Sequence, residues 1–328
     1  MFRARLNHAQ RTGMQVADCQ SCVHLFPEDG SDMDAFPADA QAFVHRFFPT
    51  VARLTAQGFE GGPTIKGQFD AAVVNVPRSK QLARHLVNWA CQLAPDGIIY
   101  VDGAKTQGIE SLMKAVKAIT PLMGVVSAAH GRLFWFHATG QFALWDASSL
   151  REIENGFKTQ AGIFSAEHID PGSAFLANAL EPLSGHIADL GAGWGYLSHH
   201  LLSEHPVSSI DLVEADHAAA SCARLNCDDT RAQVFWQGID SWEAQKSYDH
   251  VVMNPPFHEG RKGEPDLGKA FIRKAAGILK KKGKLWMVAN RHLPYEETLS
   301  QLFVDFRAIA GDKRFKVLLA SAPRNTRL

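Results

Sequence analysis

Through the second half of the chain, short apolar runs alternate with longer segments whose apolar positions recur every third or fourth residue. HIADLG (186–191), SSIDLVEAD (208–216), AQVFWQGID (232–240), YDHVVMNPPF (248–257) and GKLWMVAN (283–290) read as strands. LSHHLLSEH, HAAASCARLN and DLGKAFIRKAAGILK (266–280) lie between them with helical spacing, the last ending at Lys-Gly. FRAIAGDKRFKVLLAS (306–321) predicts an antiparallel pair. Strand and helix in this alternation give a mostly parallel sheet with helices on both faces, closed by a C-terminal hairpin.

The first half repeats part of the pattern. FDAAVVNVP (69–77) and GIIYVDGA (97–104) read as strands, SKQLARHLVNWACQLA (79–94) and TQGIESLMKAVKAI (106–119) as helices. GRLFWFHATGQFALW (131–145) predicts a hairpin turning at Thr139-Gly140. Asp70 to Gly97 parallels Asp249 to Gly283 in its order of strand, helix, turn and strand, as a diverged internal duplication would. The interval 146–165 lacks apolar periodicity. The boundary is therefore set near residue 150, giving α/β domains at 1–150 and 151–328.

Length and composition agree with this. A chain of 328 residues, 46% apolar and 21% charged, suits a soluble two-domain protein. No run reaches the roughly 18 apolar residues of a membrane span, and the first residues lack a secretory apolar core, so a cytoplasmic location and no membrane partner are expected. The odd cysteine count points to reduced thiols. Cys19 and Cys22 form a C-x-x-C with no second pair at zinc-ligand spacing, so no metal is expected. Charge changes the picture more. Residues 261–328 hold 16 Lys and Arg against 6 Asp and Glu, while the first 260 hold 18 against 28. Such a division places a cationic surface beside one site, as a nucleic-acid substrate requires. The run KKKGK (280–284) reads as a solvated helix face.

Two motifs carry chemistry. In DLGAGWG (189–195), Gly191, Gly193 and Gly195 leave the backbone free to turn sharply after a strand and to approach a ligand. Asp189 stands before them with Ala192 between, and Glu214 ends the next strand, where its carboxylate suits the hydroxyls of a ribose. Asp240 follows the third strand, where it reads either as a surface turn or, because the glycine motif resembles that of the class I S-adenosylmethionine methyltransferases, as the polar residue that meets the adenine amine in that family. In the second motif, Asn254-Pro255-Pro256-Phe257, the prolines fix the backbone at a strand end. The Asn254 amide oxygen and the Pro255 carbonyl can each accept one N–H of an exocyclic amine, and Phe257 can stack on its ring. His258 and Glu259 lie next to them as groups for the departing proton.

GIFSAEHIDPGSAFL (162–176), DLGAGWGYLS, NPPFHEG, VANRHLPYEETL (288–299) and RFKVLLA (314–320) together resemble the RsmC-type rRNA guanine-N2 methyltransferases. The family commonly has Cys where this chain has Ala192. The resemblance implies two tandem Rossmann-like methyltransferase domains with a degenerate N-terminal copy that positions RNA. It also implies S-adenosylmethionine as cofactor and ribosomal RNA or the small ribosomal subunit as partner, with the protein a monomer or weak dimer. By the same resemblance Phe164, Ser165, Asp170 and Ser173 line the cleft, and Asn290 and Pro294 lie on the substrate side. Large-subunit guanine-N2, adenine-N6 and protein glutamine are the other substrates considered, and a catalytically dead assembly factor is the non-enzymatic reading.

The first copy departs from this pattern. Gly191 precedes Asn254 by 63 residues, and the same distance back from Asn75 reaches Thr12, where no G-x-G-x-G occurs. NVPRSK also lacks the second proline and the aromatic. Neither cofactor binding nor amine positioning is expected of it.

Overall fold

The computed structural model describes residues 2–14, 19–34, 36, 38–256 and 265–324. They form two compact units, Met1–Leu150 with Gln160–Gly162, and Arg151–Thr159 with Ile163–Leu328. The aperiodic interval is thus divided between the two, its segment 160–162 packing with the first.

In the first unit the strands are β1 (Cys19–Leu25), β2 (Ala38–Val44), β3 (Glu60–Gly62), β4 (Ala71–Asn75), β5 (Ile98–Ala104), β6 (Gly124–Ala128) and β7 (Gly131–His137). Its helices are α1 (Phe2–Arg11), α2 (Gly30–Met33), α3 (Phe48–Ala56), α4 (Lys80–Leu93) and α5 (Ile109–Lys117). The second unit opens with a small hairpin, β8 (Arg151–Glu152) and β9 (Lys158–Thr159). Its main sheet holds β10 (Gly185–Leu190), β11 (Val207–Glu214), β12 (Ala232–Trp236), β13 (Tyr248–Met253), β14 (Leu279–Asn290), β15 (Phe303–Gly311) and β16 (Phe315–Pro323). The helices there are α6 (Pro171–Ala179), α7 (Tyr196–Glu204), α8 (His217–Asn226), α9 (Pro265–Ile278) and α10 (Glu296–Leu302).

The two large sheets have one topology. Their orders are β3-β2-β1-β4-β5-β7-β6 and β12-β11-β10-β13-β14-β16-β15, all strands running one way except the penultimate, β7 or β16, which is antiparallel to both its neighbours. This is the tandem, mostly parallel α/β class expected from the sequence. Both faces of the middle strands of the second sheet are buried. Val251, Met253, Leu285 and Met287 pack into one core while Val252, Trp286 and Val288 pack into the other. Alternation of period two with apolar residues on both faces is what makes these strands read as continuous apolar runs. Helix starts follow local chemistry: Ser79 caps α4 through Leu82 N–H, and Asp216 caps α8 through Ala218 and Ala219 N–H.

Three details differ from the sequence reading. The hairpin between β6 and β7 turns at Ala129-His130, with φ of 45° and 54°, and Gly140–Trp145 is a short 3-10 helix rather than a return strand. KKKGK is no helix face, since β14 begins at Leu279. The third difference concerns the duplicated turn. Leu25 pairs with Val74 and Val44 just as Leu190 pairs with Met253 and Val213. The residue matching Gly191 is therefore Phe26, not Thr12, and the match for Glu214 is His45. Phe26 keeps a left-handed φ of 57° against 72° at Gly191. Its ring lies 4.9 Å from that of His45, tilted by 39°. Two rings in the first unit thus stand where the second has a bare turn and a carboxylate.

Candidate active site

The site is built where β10 and β13 end side by side, at the carboxyl edge of the sheet, where parallel α/β folds leave a crevice. Leaving β10, the chain reverses through Gly191, Gly193 and Gly195, all at positive φ. The requirement at Gly195 is steric as well as conformational. Its φ is 94°, and a Cβ there would lie 2.9 Å from Cys227 Sγ and 3.3 Å from the Ala223 backbone. Gly193 faces open space, with nothing within 4 Å of a Cβ, so its backbone is approachable.

Two carboxylates support the turn. Glu214 Oε2 accepts from Gly193 N–H at 2.8 Å and Oε1 from Asp216 N–H at 2.7 Å. Burial outweighs these bonds and pushes the Glu214 pKa up to about 7. A carboxylate has about four lone-pair sites, so the side chain can still accept from a ribose hydroxyl. Asp189 is fully buried beneath the turn. Its Oδ2 accepts from Ser198 Oγ at 2.7 Å, while Oδ1 has no partner among the described residues. Burial raises this carboxyl also to about 7.

Asn254, directly after β13, has a fixed amide. Its Nδ2 donates to Asp170 Oδ2 at 2.9 Å and to Ser173 Oγ at 2.8 Å. Asp170 is also the N-cap of α6, accepting from Ser173 N–H at 2.8 Å. An ionised carboxylate only accepts, so the amide NH2 must face it and Oδ1 must face away. That Oδ1 is buried with no partner among the described residues. A buried carbonyl left unsatisfied costs on the order of 1–3 kcal/mol, which a ligand N–H would recover. Gly172 leaves room for the arrangement, since a Cβ there would lie 3.0 Å from Asp170 Oδ2.

The cleft is lined by Phe164, Ser165, Asp170, Ser173, Gly191, Ala192, Gly193 and Asn254, together with Trp194, Tyr196 and Leu197. At its lip Phe164 is 62% exposed. Next to it Ser165 holds a φ of 51°, its Oγ donating to His168 O at 2.7 Å and its carbonyl accepting from Trp194 Nε1 at 3.2 Å. A non-glycine residue in this region stores strain, which functional sites tend to collect.

Other expected site residues fall elsewhere. Asp240 is exposed on the turn after β12, Asn290 closes β14 and Pro294 is exposed beyond it, and none lines the cleft. Pro255 is buried and Pro256 exposed. Phe257, His258 and Glu259 lie outside the described residues. Sequence reasoning passed over Asn226, which ends α8. Its amide donates to Trp194 O and Lys158 O and accepts from Lys158 N–H, tying the glycine turn to β9. Trp194 stood inside the glycine motif but read only as a spacer. Its ring packs 5.0 Å from that of Phe157 and stiffens the turn.

A family model described as the methyltransferase small domain matches residues 154–319, and a model of the N-terminal domain of such proteins matches 39–151. The chain belongs to the methyltransferase small domain family. Every described site residue named above lies within the first of these spans. Among relatives, the ribosomal RNA small subunit methyltransferase C of Shewanella pealeana is 31% identical over 261 residues, covering 76% of each chain. That of Shewanella sp. strain MR-4 is 28% identical over 296 residues, 87% of this chain and 86% of the relative. Among solved structures, the T. thermophilus 16S rRNA N2 G1207 methyltransferase in complex with AdoMet and guanosine aligns with a TM-score of 0.79. It is 23% identical and covers 97% of this chain and 91% of that one, so both units of the methyltransferase share its fold.

Proposed function

We propose that this methyltransferase moves a methyl group from S-adenosylmethionine to the exocyclic N2 amine of a guanine in 16S rRNA. The carrying observation is the Asn254 amide, turned by Asp170 and Ser173 so that a buried oxygen is left to accept an N–H. The names and substrates of the relatives and of the T. thermophilus enzyme support the choice of guanine and of the small subunit.

The residues present fit the cofactor. An open glycine turn at Gly193 admits a ligand against the backbone, and Glu214 behind it offers acceptors for a ribose. Asp170 and Ser173, on the way from this turn to Asn254, complete the cleft. When bound, S-adenosylmethionine supplies an electrophilic methyl. The chain's own part is placement. A ring amine is a weak nucleophile because its lone pair is drawn into the ring. Asn254 Oδ1 and the Pro255 carbonyl accept its two N–H bonds and aim the lone pair, and Phe257 holds the plane of the base. Catalysis of this kind works by orientation and fixed dipoles, without a strong base. The target base leaves its stack to reach the site. With Phe26 and His45 in place of the bare turn and the carboxylate, the first unit serves as a scaffold that positions RNA. The protein works in the cytoplasm, as a monomer or weak dimer.

Asn254→Ala abolishes methyl transfer while S-adenosylmethionine still binds within about twofold of wild type by calorimetry. Asp170→Ala releases the amide and lowers kcat on the order of 100-fold, the cost of misplacing a reacting group. Wild-type turnover in Asn254→Ala sinks the assignment. A chain stabilised by NAD but not by S-adenosylmethionine in a thermal titration sinks the choice of cofactor.

A further inference from the structure

Among the described residues, two groups of exposed cations stand toward the two ends of β14. One group lies at the amino end of β14, in Lys281 and Lys282, both exposed. A second lies at the other end of the same strand. There the turn Asp312-Lys313-Arg314 joins β15 to β16 beside Arg291, and all of these residues are exposed. The turn is firmly built. Arg291 N–H donates to Arg314 O at 2.9 Å and Arg291 Nη1 to Asp312 O at 2.7 Å. The carboxylate of Asp312 is turned inward, its Oδ1 accepting from the N–H groups of Arg314 and Phe315 at 2.7 and 2.6 Å. The Arg314 guanidinium lies 5.0 Å over the Phe315 ring. The anion of the turn is spent on its own backbone, and three cations are left facing water.

Its position decides what this means. Phe315 pairs with Asn290 at the carboxyl end of β14. The Phe315 ring comes within 3.3 Å of where a Cβ on Gly172 would stand, and Asn254 Nδ2 lies 3.6 Å from that same point. One layer of side chains thus separates the cationic turn from the amide that would hold the substrate amine. Opposite charge at this spacing suits the phosphates on either side of a base turned into the cleft, with the arginines able to contact phosphate oxygens through paired N–H groups.

We propose that Arg291, Lys313 and Arg314 form a phosphate clamp that grips the RNA backbone flanking the target base. This rests on the function proposed above and names the part of the chain that holds the polymer rather than the base. Lys281 and Lys282 carry the same kind of charge near the other end of this 12-residue strand, on the order of 30 Å away, and take no part.

The test compares Lys313→Ala/Arg314→Ala with Lys281→Ala/Lys282→Ala in the full chain, using 16S rRNA and labelled S-adenosylmethionine. Both variants remove two exposed charges, and neither removes a backbone hydrogen bond of the turn. The first raises KM for RNA roughly tenfold and lowers the slope of log affinity against log salt by about 1.4, the share of two single-strand phosphate contacts. Its kcat at saturating RNA and its affinity for S-adenosylmethionine stay within about twofold. The second leaves KM and the slope at wild-type values. Equal effects of the two pairs, or an unchanged KM in the first, overturn the clamp while leaving methyl transfer intact. A wild-type chain that methylates a protein and no RNA overturns the function on which the clamp rests.

Discussion

At the scale of single residues, the site is defined by what is left unsatisfied. Asn254 Oδ1 and Asp189 Oδ1 are both buried without a partner among the described residues, although polar atoms in a folded interior are normally paired. The first belongs to a neutral amide, the one proposed above to meet the substrate. The second belongs to a carboxyl whose pKa is raised to about 7, and this has a consequence for stability. A raised folded-state pKa means that ionisation is costlier in the folded chain than in the unfolded one, where the carboxyl titrates near 3.9. The contribution of Asp189 is therefore fully present below about pH 4 and is lost as the pH climbs through about 7. Asp189→Asn keeps an acceptor for Ser198 and removes the buried charge. Differential scanning calorimetry of the ligand-free variant should show a higher Tm than wild type at pH 8, by several degrees, and little difference at pH 4. A variant less stable than wild type at pH 8 would show that the carboxylate is held by a favourable partner instead.

At the scale of elements, the two copies differ most at their strand-to-helix turns. The second unit spends three glycines at positive φ between β10 and α7, and Gly195 has no room for a side chain. Gly195→Ala pushes on Cys227 and the α8 backbone while straining φ. It should destabilise the second unit by about 1–3 kcal/mol and weaken binding of S-adenosylmethionine, read by urea titration and calorimetry. A neutral substitution would mean that the turn tolerates a wider path than its contacts suggest. The corresponding turn of the first unit was hidden in the sequence because it uses Phe26, and a bulky residue at positive φ gives no local signal. The β6–β7 hairpin was misplaced for a related reason. Ala129 and His130 adopt the left-handed pair that Asn-Gly would advertise, while the Gly of Thr139-Gly140 marked a turn that only starts a 3-10 helix. Strands with buried apolar faces, such as β13, and capped helices such as α8 were legible because period and cap agree. The charged start of β14 was not, since four lysines in a strand contradict propensity.

At the scale of the whole molecule, two copies of one topology have kept the same frame and diverged at its carboxyl edge. The frame was readable from strand–helix order, and the cleft in part from DLGAGWG and Asn-Pro-Pro. The contact between Asp170 and Asn254 spans 84 positions, and no spacing rule links residues so far apart. It appears only once the amino end of α6 is brought against the end of β13. Asp240, open to reading as an adenine contact or as a surface turn, lies exposed on the turn after β12 and does not line the cleft. What the molecule does as a whole reduces to whether this edge places a guanine amine. The most direct measurement is mass spectrometry of nucleosides from 16S rRNA incubated with the protein and methyl-labelled S-adenosylmethionine, the RNA coming from a strain that lacks the protein. The account predicts label in N2-methylguanosine with wild type and none with Asn254→Ala. Label in N6-methyladenosine, or in N2-methylguanosine with both proteins alike, would contradict it.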